Sequence, residues 1–401
     1  MRPVSRRLFL AGVSVATLRA AGRGTRLKTP RDEFKDELTE REMFRLTDPK
    51  ILHHLPAYYH RFLAKNNSFL LIATEHSGSR QIYRLDLGRK RLTQLTDGPE
   101  VHSYSPHLNA RDRAFFYLQG NELHEAAVGG GGRKTHFKCP DGWIFTGDLG
   151  VSADDNYAAV VEMRAEHRQP TPERQFARKP QCRIRLISLA QRTSGGSDRI
   201  VADERHWLSN PQFRPGRAQL LYAREGPSEK VENRLRLTSL DGKQKKNLRP
   251  IADAESIGRE YWTNDGSHVR YVHYPDATGR RATIRSVNPD TLEETVNSTC
   301  SAFGWFEENS DGSAMVGASK RLSGPNIYVL FPSLQREITL CEHYSSLKPH
   351  PIAGTDRMDP AASLPDPVVS NNSNWMYFVT DREGKPTLYG MEIGDLVEMT
   401  S

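Results

Sequence analysis

One pattern recurs along this chain and limits what it can fold into. A turn rich in Asp, Asn and Gly leads into an apolar strand, then a polar loop, then a second strand, often ending in "LT". The first copy is "NNSFLLIATEHSGSRQIYRLDLGRKRLTQLT" and the last is "NNSNWMYFVTDREGKPTLYGMEI", with five between them, from "NARDRAFFYLQGNELHEAAV" to "NSDGSAMVGASK…NIYVLFPSLQREITL". The copies stand roughly 40 to 60 residues apart, the period of propeller blades. Period-2 alternation in "QIYRLDL" argues strand, and Asp-Gly at the turns gives hairpins the backbone freedom they need. A four-stranded blade cannot bury both faces alone, so the units are expected to stack radially around a channel. The fold expected is therefore all-β, a seven-bladed β-propeller spanning residues 43–401. The strand-like "MFRLTD" at 43–48 precedes the first unit and matches the unit endings, so it is read as the outer strand of the last blade, closing the ring and covering an open edge.

Two segments precede that strand. Residues 1–22 place Arg6 and Arg7 before a short apolar run from Leu8 to Leu18, the pattern of a twin-arginine export signal. It implies a periplasmic or secreted protein with no membrane association after export, since no apolar run is long enough to span a bilayer. Residues 23–42 form a charged leader, and "RDEFKDELTEREM" is the one stretch with a helical reading.

Bulk properties narrow the partners. The 56 Lys and Arg against 49 Asp and Glu give a formal charge of +7, which favours anionic ligands. The basic residues are spread thinly, and no nucleic-acid-binding motif appears, so an acidic sugar fits and nucleic acid is excluded. The four cysteines, Cys139, Cys182, Cys300 and Cys341, form no CxxC pair, which rules against a cysteine zinc site. Buried free thiols are expected, with one or two disulfides as the alternative. "HHLPAYYH", with His53, His54 and His60, is a histidine cluster of a kind that can bind metal.

The stretches "LTQLTDG", "KPQCRIRLISL", "WLSNPQFRP", "REGPSEKVENRLRL", "DGKQKKNL", "EYWTNDGSHVRYV", "DGSAMVG" and "TDREGKPTLYG", in this order, resemble the oligogalacturonate lyases. These are seven-bladed propellers that cleave short pectin oligomers by β-elimination, and the likeness runs from about residue 44 to 393. Short motifs such as "DGS" are shared with propellers of the translocation-protein (TolB) type. β-Elimination requires a base for the proton α to a uronate carboxylate, and positive charge to hold that carboxylate as enolate character develops. The family is expected to meet these needs with a histidine base and a divalent metal held by histidines and a glutamine.

The resemblance breaks at those places. Where the family has two histidine ligands the chain has Leu364 and Asp366 in "LPDP", and Ala361 stands at the glutamine position. Trp305 is the occupant nearest a third ligand, and only Asp366 could offer an oxygen. Arg259 replaces the base histidine and Arg224 another histidine, while Arg234 keeps the position of the family's substrate arginine. The resemblance thus implies Arg234, Arg259 and Tyr261 as catalytic residues, Arg224, Trp262, Trp305 and Asp366 as substrate contacts, and no metal or other cofactor, with guanidinium groups doing a cation's electrostatic work. His273 and Tyr274 lie in the same blade, and His273 is read as a packing residue. The function expected is a lyase acting on or binding uronate-containing oligosaccharides, metal-independent or altered in specificity. The alternative is a non-catalytic propeller that binds an acidic glycan or a protein partner; nothing speaks directly for a hydrolase or epimerase.

Overall fold

Among the described residues the strands cluster into seven antiparallel blades in chain order, with a separate two-stranded ribbon, His350–Pro351 and Met358–Asp359, between blades 6 and 7. The computed structural model describes residues 22–190, 198–227, 230–231, 233–250, 255–275, 281–352 and 358–398. Of the export-signal segment, residues 1–21 lie outside the described residues. Blade 1 runs His53–His54, Phe69–Thr74, Gln81–Asp86 and Arg91–Gln94, and blade 2 runs His107–Leu108, Ala114–Gln119, Glu122–Ala127 and Arg133–Lys138. Blade 3 begins at Trp143–Val151, blade 4 at Leu208–Phe213, blade 5 at Ser256–Trp262, blade 6 at Phe303–Glu308 and blade 7 at Val368–Val369. In each blade the first strand stands at the axis and the sheet runs outward from it.

The apolar alternation read in the sequence is spent between blades. Leu221, Leu237 and Leu248 of blade 4 pack on Ile257, Trp262 and Tyr271 of blade 5, and Ile284 of blade 5 packs on Phe306 and Met315 of blade 6. Phe115 and Tyr117 of blade 2, Ile72 and Tyr83 of blade 1, and Tyr377 and Val379 of blade 7 share one cluster. Core therefore continues across the point where the ring closes. Each such side chain contributes on the order of 1.5–3 kcal/mol by leaving water.

Closure follows the expected route. Glu42–Arg45 adds to the Thr387–Glu392 strand with Met43 opposite Met391, and Met43 is fully buried. The leader differs from the expected helix. Asp32–Lys35 pairs with Glu42–Arg45 as a hairpin, Phe34 opposite Met43, and Arg26–Lys28 adds to the outer strand of blade 1, Leu27 opposite Leu92. The Asp36 carboxylate accepts the Leu38 and Thr39 N–H groups at 3.1 and 3.0 Å, turning the chain where a helix would have continued. The leader straddles blades 7 and 1 and covers both outer edges. All four cysteines are buried free thiols, and among the described residues no helix is long and apolar enough to cross a membrane.

Candidate functional site

"HHLPAYYH" does not approach the ring; it crosses it. The Ala57 N–H donates to the Tyr104 carbonyl at 3.0 Å. His60 sets one ring nitrogen against the Pro106 carbonyl at 3.1 Å and the other against the carbonyl of Leu149 in blade 3. The Tyr58 hydroxyl donates to the Glu260 carbonyl of blade 5 at 3.0 Å. A segment that leaves blade 1 and bonds to blade 5 has passed over the axis, so the channel has an aromatic floor, Tyr58 edge-on to Tyr59 with centroids 5.2 Å apart.

Against this floor the axial strands of blades 3, 4 and 5 are each bulged, at Phe145/Leu149, Ser209/Gln212 and Gly258/Tyr261. A bulge adds a residue and breaks the in-out alternation, so neighbouring side chains can turn toward one side. Asn210 and Arg259 take left-handed backbone, φ 52° and 59°, which costs a non-glycine residue of order 1–3 kcal/mol and collects at functional places. The bulges are bonded to one another. The Thr146 hydroxyl donates to Asp148 at 2.7 Å, Asp148 accepts the Asn210 N–H at 3.1 Å, and the Asn210 amide donates to Glu260 at 3.1 Å. Burial holds the Asp148 carboxyl above its ordinary value, against the bonds from Thr146 and Asn210.

Arg234 ends this network. Its Nη1 and Nη2 reach Glu225 at 2.9 and 3.2 Å, its Nη2 and Nε reach Glu260 at 3.1 and 3.4 Å, and Nη1 also donates to the Arg224 carbonyl at 3.4 Å. All five guanidinium N–H groups are engaged. Burial opposes its charge, yet Glu225 and Glu260 prevail and its pKa is raised. Glu225 is held below its ordinary value although burial pushes the other way, because Arg234 and the Ser209 hydroxyl both donate to it.

Arg259 is placed differently. Its guanidinium carbon lies 4.1 Å from the centre of the Tyr58 ring, a cation over an aromatic face, and it meets Asp366 in an ion pair. Its Nε is buried without a hydrogen bond. Burial draws its pKa down to about 10, against the pull of Tyr58, Tyr274 and Glu260. Asp366, also left-handed at φ 42°, sits in "LPDP" just before the axial strand of blade 7. That segment belongs to an excursion between blades 6 and 7 that is fastened to blade 1, where Asp359 pairs with Arg80 at 2.5 Å and accepts from Tyr104 at 3.1 Å.

Blade 6 supplies a residue that sequence reasoning missed. Glu307 accepts the Val369 N–H at 2.7 Å through Oε2, and burial lifts its carboxyl to about 8 in spite of the nearby Arg259. Beside it, Tyr261 has a buried hydroxyl with no hydrogen-bond partner and a pKa raised by burial, with Glu307 adding to the effect.

Other residues singled out in the sequence lie elsewhere. Arg224 pairs with Glu204 of blade 3 at 2.7 Å in the blade wall, and so does not join the other two arginines. Trp262 is only 7% exposed, packs in the core between blades 4 and 5, and donates its Nε1–H to the Gln212 carbonyl at 3.2 Å; no sugar can reach its face. Trp305 packs against the core between blades 6 and 7. His273 is buried beside Glu255 at 3.1 Å.

A closed seven-bladed propeller with charged bulges over an aromatic floor is the architecture of a small-ligand site at the axis. The chain matches the family model described as oligogalacturonate lyase over residues 21–397, and it belongs to that family. It is 26% identical over 396 residues to the oligogalacturonide lyase of Pectobacterium atrosepticum, covering 94% of this chain and 99% of that one, and 26% identical over 403 residues to the oligogalacturonate lyase of Dickeya dadantii, with the same coverages. Among solved structures, an oligogalacturonate lyase in complex with manganese superposes with a TM-score of 0.86 at 26% identity, covering 94% of this chain and 100% of that one. The oligogalacturonate lyase of Vibrio parahaemolyticus gives 0.83 at 25% identity, covering 93% and 99%.

The manganese in that relative overturns the expectation of a protein without a cofactor: a structure of this fold and family carries a metal. The residues described here do not fit such an ion, because no three or more His, Cys, Asp or Glu side chains among them gather where one could be held. Divalent cations need several such donors. At "LPDP" the carboxylate of Asp366 is met by a guanidinium instead.

Proposed function

We propose that this chain acts on uronate-containing, pectin-derived oligosaccharides, by β-elimination at a uronic acid residue. Family membership and the near full-length relatives support the substrate class. The observation that carries the reading in this chain is Arg259, held on a left-handed bulge over Tyr58 with Asp366 as its anionic partner and Nε unbonded.

A substrate carboxylate is chemically equivalent to Asp366 and can replace it, gaining the paired N–H···O bonds that guanidinium offers. Asp366, in left-handed backbone, then yields place, and the unused Nε gains a partner. Positive charge fixed at that carboxylate lowers the cost of drawing electrons into it as the neighbouring proton leaves. Arg234 has a different part: with every donor engaged it holds Glu225 and Glu260, and through them the bulges that carry Arg259.

The test is ultraviolet absorbance of the new C4–C5 double bond on a panel of oligouronides, with manganese present. Growth of signal supports the reading. Binding without signal makes the protein a non-catalytic acidic-glycan module, and neither binding nor signal removes the uronate reading altogether. We also propose export through the Arg6–Arg7 segment; Arg6→Lys with Arg7→Lys should hold the protein in the cytoplasm, and unchanged fractionation would dismiss it.

A further inference from the structure

We propose that Glu307 is the catalytic base of this chain and Tyr261 the acid that serves the leaving oxygen. The inference rests on the reading just given and assigns its proton transfers. Two buried polar atoms at this place lack hydrogen-bond partners among the described residues, Arg259 Nε and the Tyr261 hydroxyl, and Glu307 is held there by the Val369 N–H, which donates to its Oε2 at 2.7 Å. Buried polar groups are normally satisfied, and those left open at one place mark where a ligand's own groups belong.

The place is also assembled from separate elements. Arg259 and Tyr261 come from the bulged strand of blade 5, Glu307 from the axial strand of blade 6, Asp366 from the approach to blade 7, and Tyr58 from the segment crossing the floor. The charged and titratable groups that act on Glu307 and Tyr261 are Arg259, Arg270 and Tyr58, and Arg270 is taken up in an ion pair with Glu308. Arg259 is the cation that acts on Glu307, and it meets Asp366 in an ion pair.

Chemistry follows from these positions. With the substrate carboxylate on Arg259, the carbon next to it, C5, carries the acidic proton, and a carboxylate beside Arg259 is the group able to take it. Ionised Glu307 accepts that proton. The C5–H electron pair becomes the second bond between C4 and C5, the C4–O bond breaks, and the departing oxygen takes the Tyr261 hydroxyl proton. Water restores the proton to Tyr261 and removes the one on Glu307, so each turnover leaves both residues as they began. Burial raises the Glu307 carboxyl to about 8, close to the pH at which a base must work, and keeps Tyr261 protonated.

The experiment compares wild type with Glu307→Gln, Glu307→Asp and Tyr261→Phe on oligogalacturonides, following the unsaturated product from pH 6 to 10. Expected for wild type is a kcat that rises with pH and levels off above about 8. Glu307→Gln should lose roughly a hundredfold or more in kcat with KM nearly unchanged and lose that pH dependence, while Glu307→Asp keeps part of the rate with a displaced profile. Tyr261→Phe should lose roughly tenfold or more, least with substrates whose leaving oxygen needs no proton. A Glu307→Gln protein that melts like wild type, binds oligogalacturonide and still turns over within about threefold overturns the assignment and leaves the proposed function standing. A silent wild type removes both together.

Discussion

Arg234 and Arg259 stand on neighbouring blades near one tyrosine, and they show opposite ways of keeping a cation in a protein. Arg234 has two carboxylates and a carbonyl for its five donors, and its charge is reinforced. Arg259 has an aromatic face, one carboxylate on left-handed backbone and a donor left over, and its charge is weakened by burial. A saturated guanidinium is scaffold, because any ligand must first break what holds it. One that is short of partners is paid for by the rest of the fold and gains when a ligand arrives. Position in the family pattern pointed to both arginines; bonding separates them and points to Arg259.

The largest effect expected from this contrast is on stability. Arg234→Ala leaves Glu225 and Glu260 facing each other without a cation, and Glu260 is fully buried, so unfolding free energy should fall by about 3–5 kcal/mol. Arg259→Gln should cost far less, since it removes a charge that burial already disfavours. Denaturant titration of both proteins decides it; equal losses would erase the distinction.

Glu307 gives the next effect, through pH. Its folded pKa of about 8 lies above the ordinary 4.5, so the folded state holds a proton that the unfolded state releases. The stability this contributes is complete below pH 4.5 and is lost as pH rises through 8. Between those limits wild type should lose a few kcal/mol that Glu307→Gln keeps, seen as melting curves that separate with pH. Parallel curves would mean an ordinary carboxylate, ionised at neutral pH.

Much of the fold was legible because a two-residue period and a blade-length repeat report burial directly. "QIYRLDL" alternates because its faces meet two neighbouring blades. "RDEFKDELTEREM" misled because its charges suit a helix, while Phe34 and Met43 meet only once the Asp36 turn pairs two strands. The site was less legible. Arg224 was assigned by its match to a family histidine position and Trp262 as a ring that could meet a sugar, but Arg224 pairs with Glu204 in the blade wall and Trp262 packs in the core between blades. Signals of the bulges were present: Pro211 within a strand, Gly147 in "TGDLG", and adjacent charges Arg259 and Glu260 where alternation should have separated them. Nothing local marked Glu307 or Tyr58, whose importance comes from blades and a crossing segment brought together by ring closure.

Ligand affinity should separate the two arginines in the opposite sense. Arg259→Lys keeps a positive charge but gives up the flat two-pronged geometry, so oligogalacturonide binding should weaken by roughly 1.5–3 kcal/mol, read by calorimetry. The same binding in any folded Arg234 variant should change less. A lysine variant that binds as tightly as wild type would reduce Arg259 to a point charge and remove the reason for its placement.

The smallest effect tests the floor. Tyr58 has two links to blade 5, a hydroxyl that donates to the Glu260 carbonyl at 3.0 Å and a ring 4.1 Å from the Arg259 guanidinium carbon. Tyr58→Phe cuts only the first and should cost about 1 kcal/mol of stability with binding unchanged. Tyr58→Leu cuts both, and the missing aromatic face should take a further 0.5–2 kcal/mol or so from uronide binding as Arg259 loses its support. If the two variants bind alike, the ring is mere filling, and the strain at Arg259 must be held by the bulge and by Asp366 alone.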